Sequence, residues 1–246
     1  MNKVVKGKNA NNKKAVALFV FQVILGISPI LLLVAFVMLD LYRMPILAAV
    51  IILLIFFCNV GYMFLARRYA VLSSGLRGER ELYKIVKKLG GNNIILRNLP
   101  IRYKRGRSEL DLLVISHKGI LIIEVKNHSG TIYGSWKSDA WTQKKFYRDG
   151  KNTSAEMDNP IKQMRRQRDI VKSILNAAGE DVWIDTVLYF SSPNAKLRLN
   201  LRENDYVCAS SGELMNFLEN YDSGTTLSRS RMERIAQILK DASDSV

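Results

Sequence analysis

The chain has 246 residues, 48% of them hydrophobic, and a formal net charge of +15. This length holds one domain of ordinary size with an added part. Clear apolar periodicity excludes disorder, and two cysteines, one of them (Cys58) inside an apolar run, exclude a disulfide scaffold.

Residues 15–39 and 46–66 contain no charged side chain. As helices the two runs would be roughly 37 Å and 31 Å long, enough for a hydrocarbon core of about 30 Å. The first run is longer than the apolar region of about 7–15 residues in a signal peptide. It contains Gln22, Gly26, Ser28 and Pro29, and the second contains Asn59. Gln22 and Asn59 suit a helix–helix hydrogen bond. No charged residue lies at membrane depth, so the pair reads as an anchor. Lys3, Lys6, Lys8, Lys13 and Lys14 precede the first span, and Arg67, Arg68, Arg77 and Arg80 follow the second. The positive-inside preference then puts both termini in the cytoplasm. The expected division is a basic tail (1–14), a transmembrane hairpin (15–66) and a soluble domain (67–246).

Positive charge is concentrated early in the soluble domain. Residues 67–172 hold 24 basic and 10 acidic residues, whereas 173–246 hold 7 and 11. Anionic lipid and nucleic-acid phosphate are both suitable partners for such a surface.

Within this domain, Ser74–Leu89 has a helical apolar stripe that Gly90-Gly91 stops. A strand is expected over Asn93–Ile101, followed by an exposed basic loop holding Arg102, Lys104, Arg105 and Arg107. Glu109–Ser116 and Gly119–Lys126 read as a hairpin with its turn at His117-Lys118. Gly130–Ser135 and Ala140–Arg148 read as a second hairpin, with Trp136, Trp141 and Tyr147 in its core. His117 and His128 are expected in turns. Asn159-Pro160 opens a helix to about Ala178, with asparagine at the cap and proline at the first position. Strands at Val182–Phe190 and Tyr206–Ala209 and helices near 212–220 and 229–241 complete the chain. The order predicts an α/β or α+β fold with a mixed sheet flanked by helices.

Asp111, Glu124 and Lys126 are charged residues inside strongly apolar strands. Burying an unpaired ion costs several kcal/mol, so something must compensate. With the turn at His117-Lys118, paired positions sum to 235, which sets Asp111 opposite Glu124 on one face. Lys126 shares that face with Glu124. Two facing carboxylates suit a hard divalent cation such as Mg²⁺, and Lys126 beside them would hold an attacking water and offset charge on a phosphorane. Two histidines without a His/Cys cluster argue against zinc, and no Walker-type loop supports a nucleotide cofactor.

Several blocks together resemble a known family. They are Gly75-Leu76-Arg77-Gly78-Glu79-Arg80, Glu109-Leu110-Asp111, Gly119 through Asn127 with Ser129-Gly130, Trp141, and Asn159-Pro160-Ile161-Lys162-Gln163. Over about residues 74–175 the chain resembles the NERD, or nuclease-related, domain, which belongs to the PD-(D/E)XK nuclease superfamily. Leu110 stands where that superfamily often has proline. The resemblance implies a restriction-endonuclease-like mixed sheet and a metal-dependent nuclease site with Asp111, Glu124 and Lys126 at its centre. It implies Mg²⁺ or Mn²⁺ as cofactor, Glu79 as a further acidic ligand, and Gln163 as a residue that touches substrate or orients water. Arg105 and Arg107 in the basic loop, and Arg165 and Arg166 on the later helix, are the expected phosphate contacts.

The expectation is a multi-pass protein of the cell membrane whose cytoplasmic domain hydrolyses phosphodiester bonds, with DNA favoured by the superfamily resemblance. The alternative is an inactive membrane-tethered module that binds nucleic acid or a partner protein. Homo-oligomerisation is left open.

Overall fold

The computed structural model describes residues 2–7, 10–147 and 149–244. The chain forms two compact units. One is Asn9–Leu76; the other combines the residues before it with Arg77 onward.

The smaller unit is a helical hairpin. Helices α1 (Ala10–Met38) and α2 (starting at Pro45) flank one 3₁₀ turn, Leu41–Arg43, entered through Asp40 at φ 51°. Glycines let the helices approach. A Cβ on Gly26 would lie 3.3 Å from the Tyr62 ring, and one on Gly61 3.0 Å from Leu25. The outward faces are apolar, with Phe19, Ile30, Leu31 and Phe57 exposed. Both helices are long and apolar enough to cross a membrane. Asn59 does not bridge the helices as expected. Its amide donates to the Ile55 carbonyl one turn back, and the buried Gln22 Oε1 has no partner.

The second span and the first expected soluble helix are one element, because α2 runs unbroken from Pro45 to Val86. Nothing in the stretch 67–73 breaks a helix, and the isolated Gly75 and Gly78 are tolerated.

The larger unit is built on a six-stranded sheet. Its strands are β1 (Lys3–Lys6), β2 (Ile94–Tyr103), β3 (Gly106–Ser116), β4 (Gly119–Lys126), β8 (Ile184–Phe190) and β10 (Tyr206–Cys208), in that spatial order. β2, β3 and β4 form an antiparallel meander; β8 and β10 continue it in parallel, and β1 runs parallel to β2. The basic tail is therefore not a separate element, since Lys3–Lys6 is an edge strand of this sheet. The basic loop is a tight β2–β3 turn, with Tyr103 paired to Gly106 and Lys104 at φ 51°.

Helices cover both faces, so the central strands are apolar on both sides. Helices α3 (Pro160–Ala177) and α5 (Arg229–Asp244) bury Ile170, Val171, Ile235 and Leu239 against one face. The end of α2 and helix α4 (Ser211–Asn220) bury Leu82, Val86, Leu214 and Leu218 on the other.

A second sheet, order β7-β6-β5-β9, contains the expected hairpin β5 (Gly130–Ser135) and β6 (Ala140–Phe146). It also contains two strands not anticipated, β7 (Asn152–Asp158) and β9 (Ala195–Asn200). Ile132 and Trp141 pack inward against Ile161, Met164 and Phe190. Gly134 permits this, since any Cβ there would collide with the Trp141 indole. Trp141 is core as expected. Tyr147 is half exposed, and Trp136 lies under the Arg202 guanidinium, 3.6 Å from its ring centroid.

Candidate functional site

The turn at His117-Lys118 sets the register. Ser116 pairs with Gly119 and Leu112 with Ile123, so the next position along sets Asp111 across from Glu124. Regular pairing stops there. The Val125 N–H donates to Asp111 Oδ2 at 2.9 Å, so a side chain takes the place of a backbone acceptor at the strand end.

Glu124 is 2% exposed, and both its oxygens are engaged. Oε1 accepts from Lys126 Nζ at 2.6 Å and Gln163 Nε2 at 2.7 Å, and Oε2 accepts from Gln167 Nε2 at 2.8 Å. Lys126 Nζ also donates to Gln163 Oε1 at 3.0 Å. Helix α3 delivers both glutamines because residues four apart share a face. Its start is fixed by Asn159, whose side chain accepts from the Ile161 and Lys162 N–H groups and donates to the Ser135 and Ser138 carbonyls.

The carboxylates raise each other's cost. Burial first, and then the Glu124 charge, push the Asp111 carboxyl well above the usual range. Burial alone would lower Lys126; Glu124, its hydrogen bond, Asp111 and Asp158 outweigh that and raise it. Lys126 is therefore held as an ammonium. The facing pair Asp111 and Glu124 offers hard oxygen donors. Among the described residues no three of His, Cys, Asp and Glu gather closely enough to hold an ion by themselves.

Glu79, in the last two turns of α2, receives a 2.6 Å hydrogen bond from Asn98 Nδ2. Asn98 is 2% exposed, sits opposite Asp111 across the β2–β3 ladder, and holds φ 49°. The N-terminal segment closes over it. The Gly7 N–H donates to the Arg97 carbonyl, and a Cβ on Gly7 would run into the Asn98 carbonyl.

Arg105 and Arg107 are exposed at the β2–β3 turn. Gly106 between them lets the turn rest on α3, since its Cβ would lie 3.3 Å from Ile170. Beside it an open groove of about 440 Å³ is lined by Tyr103, Lys162, Arg165, Arg166 and Asp169. Arg166 is exposed. Arg165 is tied to Asp205 by two hydrogen bonds, 2.7 and 3.0 Å.

Sequence reasoning missed three residues here. Gln167 carried a usable signal, its four-residue spacing from Gln163. Asn98 stood out only as a polar residue in an apolar run. His128 is more than a turn residue: it is half-buried, its Nδ1 is 3.3 Å from Gln143 Oε1, and burial followed by the Lys126 and Lys145 charges holds it below its ordinary pKa.

Residues 74–191 match the nuclease-related domain family, NERD. An uncharacterized protein of Bacillus anthracis is 34% identical over 71 residues, which is 28% of this chain and 34% of that protein. The match thus spans about a third of that relative's length. No solved structure matches.

Proposed function

We propose that the nuclease-related domain of this chain hydrolyses phosphodiester bonds of DNA at a membrane surface. The observation that carries the reading is the clustering of Asp111, Glu124 and Lys126 at one strand end, with Gln163 locked to the last two. Asp111 and Glu124 are the residues that would hold a Mg²⁺ or Mn²⁺ ion, with Glu79 as the further acidic candidate. Two carboxylates plus water and phosphate oxygens match the way Mg²⁺ is usually held. When bound, such an ion supplies Lewis acidity toward the phosphate and a more acidic water.

The chain's own groups have separable tasks. Lys126, kept protonated by its acidic neighbours, offers positive charge to the developing phosphorane and a proton to a departing oxygen. Glu124 fixes the Lys126 ammonium, and Gln163 limits its swing. The groove beside α3, with Lys162 and Arg166 on its wall and Arg105 and Arg107 nearby, suits the sugar–phosphate backbone. Arg165 is partly spent on Asp205.

Membrane anchoring rests on α1 and α2 and on flanking lysines and arginines. Residues on both sides of the helical hairpin belong to one compact unit, which supports a hairpin whose two ends lie on one side; the flanking positive charge favours the cytoplasmic side.

A second reading has its own support. Glu124 is already fully hydrogen-bonded, and no three ligating side chains gather among the described residues. That favours an inactive binding module. The deciding test uses the full chain in detergent micelles with linear, circular and single-stranded DNA, in Mg²⁺, Mn²⁺ or EDTA. Cleavage that needs metal and disappears in Glu124→Gln and Lys126→Ala supports hydrolysis. Absence of cutting with every substrate and metal leaves the binding module.

A further inference from the structure

The second sheet has an inner face in the core and an outer face in solvent. Alternation along the strands sends Ile132, Trp141, Leu197 and Leu199 inward. It sends Thr131 and Tyr133 of β5, Lys144 and Phe146 of β6, and Lys196 and Arg198 of β9 to the other side. Tyr133 is flanked by Thr142 and Arg198 on the neighbouring strands, and Thr131 by Lys144 and Lys196. Strands lie about 4.8 Å apart, so these groups form one continuous patch.

Two features make the patch unusual for a mere sheet surface. Tyr133 and Phe146 are 42% and 65% exposed, so aromatic rings face water. The cations around them are uncommitted: among the described residues none of Lys144, Lys196 and Arg198 has a carboxylate partner. Lys144 Nζ instead lies 5.4 Å from the Tyr133 ring centroid. Glu156, paired with Thr142 from the edge strand β7, marks the acidic limit of the face.

We propose that this outer face binds single-stranded nucleic acid, with a base stacked on Tyr133, a base further along the strand on Phe146, and phosphates on Lys144, Lys196 and Arg198. Exposed aromatics on a sheet, ringed by cations, fit unstacked bases and a charged backbone together. A duplex does not fit, because its base faces are hidden in the stack. A lipid surface fits less well, because the rings alternate with the hydroxyls of Thr131 and Thr142 instead of forming an apolar wedge. The choice of nucleic acid as the polyanion rests on the nuclease reading, but binding at this face needs no cleavage.

The test is fluorescence anisotropy of labelled oligothymidylate with the full chain in detergent micelles, in EDTA so that nothing is cut. Tyr133→Ala should weaken binding roughly tenfold, the usual scale for one lost stack, and Tyr133→Phe should retain it. Lys196→Glu combined with Arg198→Glu should weaken binding at least as much as Tyr133→Ala does and flatten its salt dependence. Unchanged affinity in Tyr133→Ala overturns the proposal. So does a charge-reversal variant that loses anionic phosphatidylglycerol vesicles while keeping the oligonucleotide. A chain that shows no metal-dependent cutting but binds the oligonucleotide through Tyr133 refutes the hydrolase reading and supports this one; the reverse pattern does the opposite.

Discussion

Glu124→Ala is the most informative single change, because Glu124 holds three donors at once. Its carboxylate is 2% exposed and accepts from Lys126, Gln163 and Gln167 within 2.6–2.8 Å. Removing one member of a buried ion pair costs about 3–5 kcal/mol, mostly by leaving the other charge unpaired. Lys126 retains 21% exposure, so water takes over part of its solvation, and relief of the Asp111 repulsion returns a little more. A net loss of about 3 kcal/mol is expected, roughly 6–12 °C in Tm at about 2–4 °C per kcal/mol for a domain of this size. Tryptophan fluorescence during heating in detergent reports this unit alone, since Trp136, Trp141 and Trp183 all lie in it. Gln167→Leu probes the same network from the other side. Gln167 is fully buried and also donates to the Glu109 carbonyl. Once Glu124 is gone, Gln167 has lost half of its reason to be polar. The double variant should therefore be more stable than the sum of the singles by about 0.5–3 kcal/mol, the range for residues in contact. A Glu124→Ala shift below about 2 °C, or additivity within about 0.5 kcal/mol, would refute this account.

Three further outcomes are expected. The folded Asp111 takes up its proton at a higher pH than the unfolded one, so its contribution to stability is present at low pH. That contribution starts to fall above about pH 4, the unfolded value, and is lost once pH passes the raised folded pKa. Asp111→Asn should flatten this limb in metal-free buffer, visible in thermal melts across pH; under the proposed metal role, Mg²⁺ should raise the Tm of the parent protein and not that of Asp111→Asn. At Asn98, glycine should keep the φ 49° backbone and lose only the Glu79 hydrogen bond. Alanine adds left-handed strain of about 1–2 kcal/mol, so a higher Tm for Asn98→Ala than for Asn98→Gly would contradict the assignment. Burial raises the Cys208 thiol to about 11, so Cys208 should resist thiol reagents at neutral pH until the domain is unfolded, as a mass-spectrometric labelling time course will report.

Much of this protein is written in local pattern. Two long uncharged runs gave the helical hairpin, because side-chain composition over about 20 residues is itself the physical signal. Asn159-Pro160 gave the start of α3, because a cap and a proline act on adjacent backbone groups. The turn at His117-Lys118 gave the register, and with it the facing of Asp111 and Glu124, because strand period and turn position fix every partner. Tertiary structure decided the rest. Lys3–Lys6 became a strand only because β2 offered a bare edge from more than 80 residues away, which no local pattern encodes. β7 has a polar, weakly alternating sequence and exists because β6 supplies its hydrogen-bond partners; β9 alternates over only six residues and is held as a strand by its parallel pairing with β5. Gln167 and Asn98 joined the site for the same reason: each is polar and buried, and only the fold brings the carboxylates they serve within reach. Short-range spacing chose the charged residues; long-range packing chose their hydrogen-bond partners.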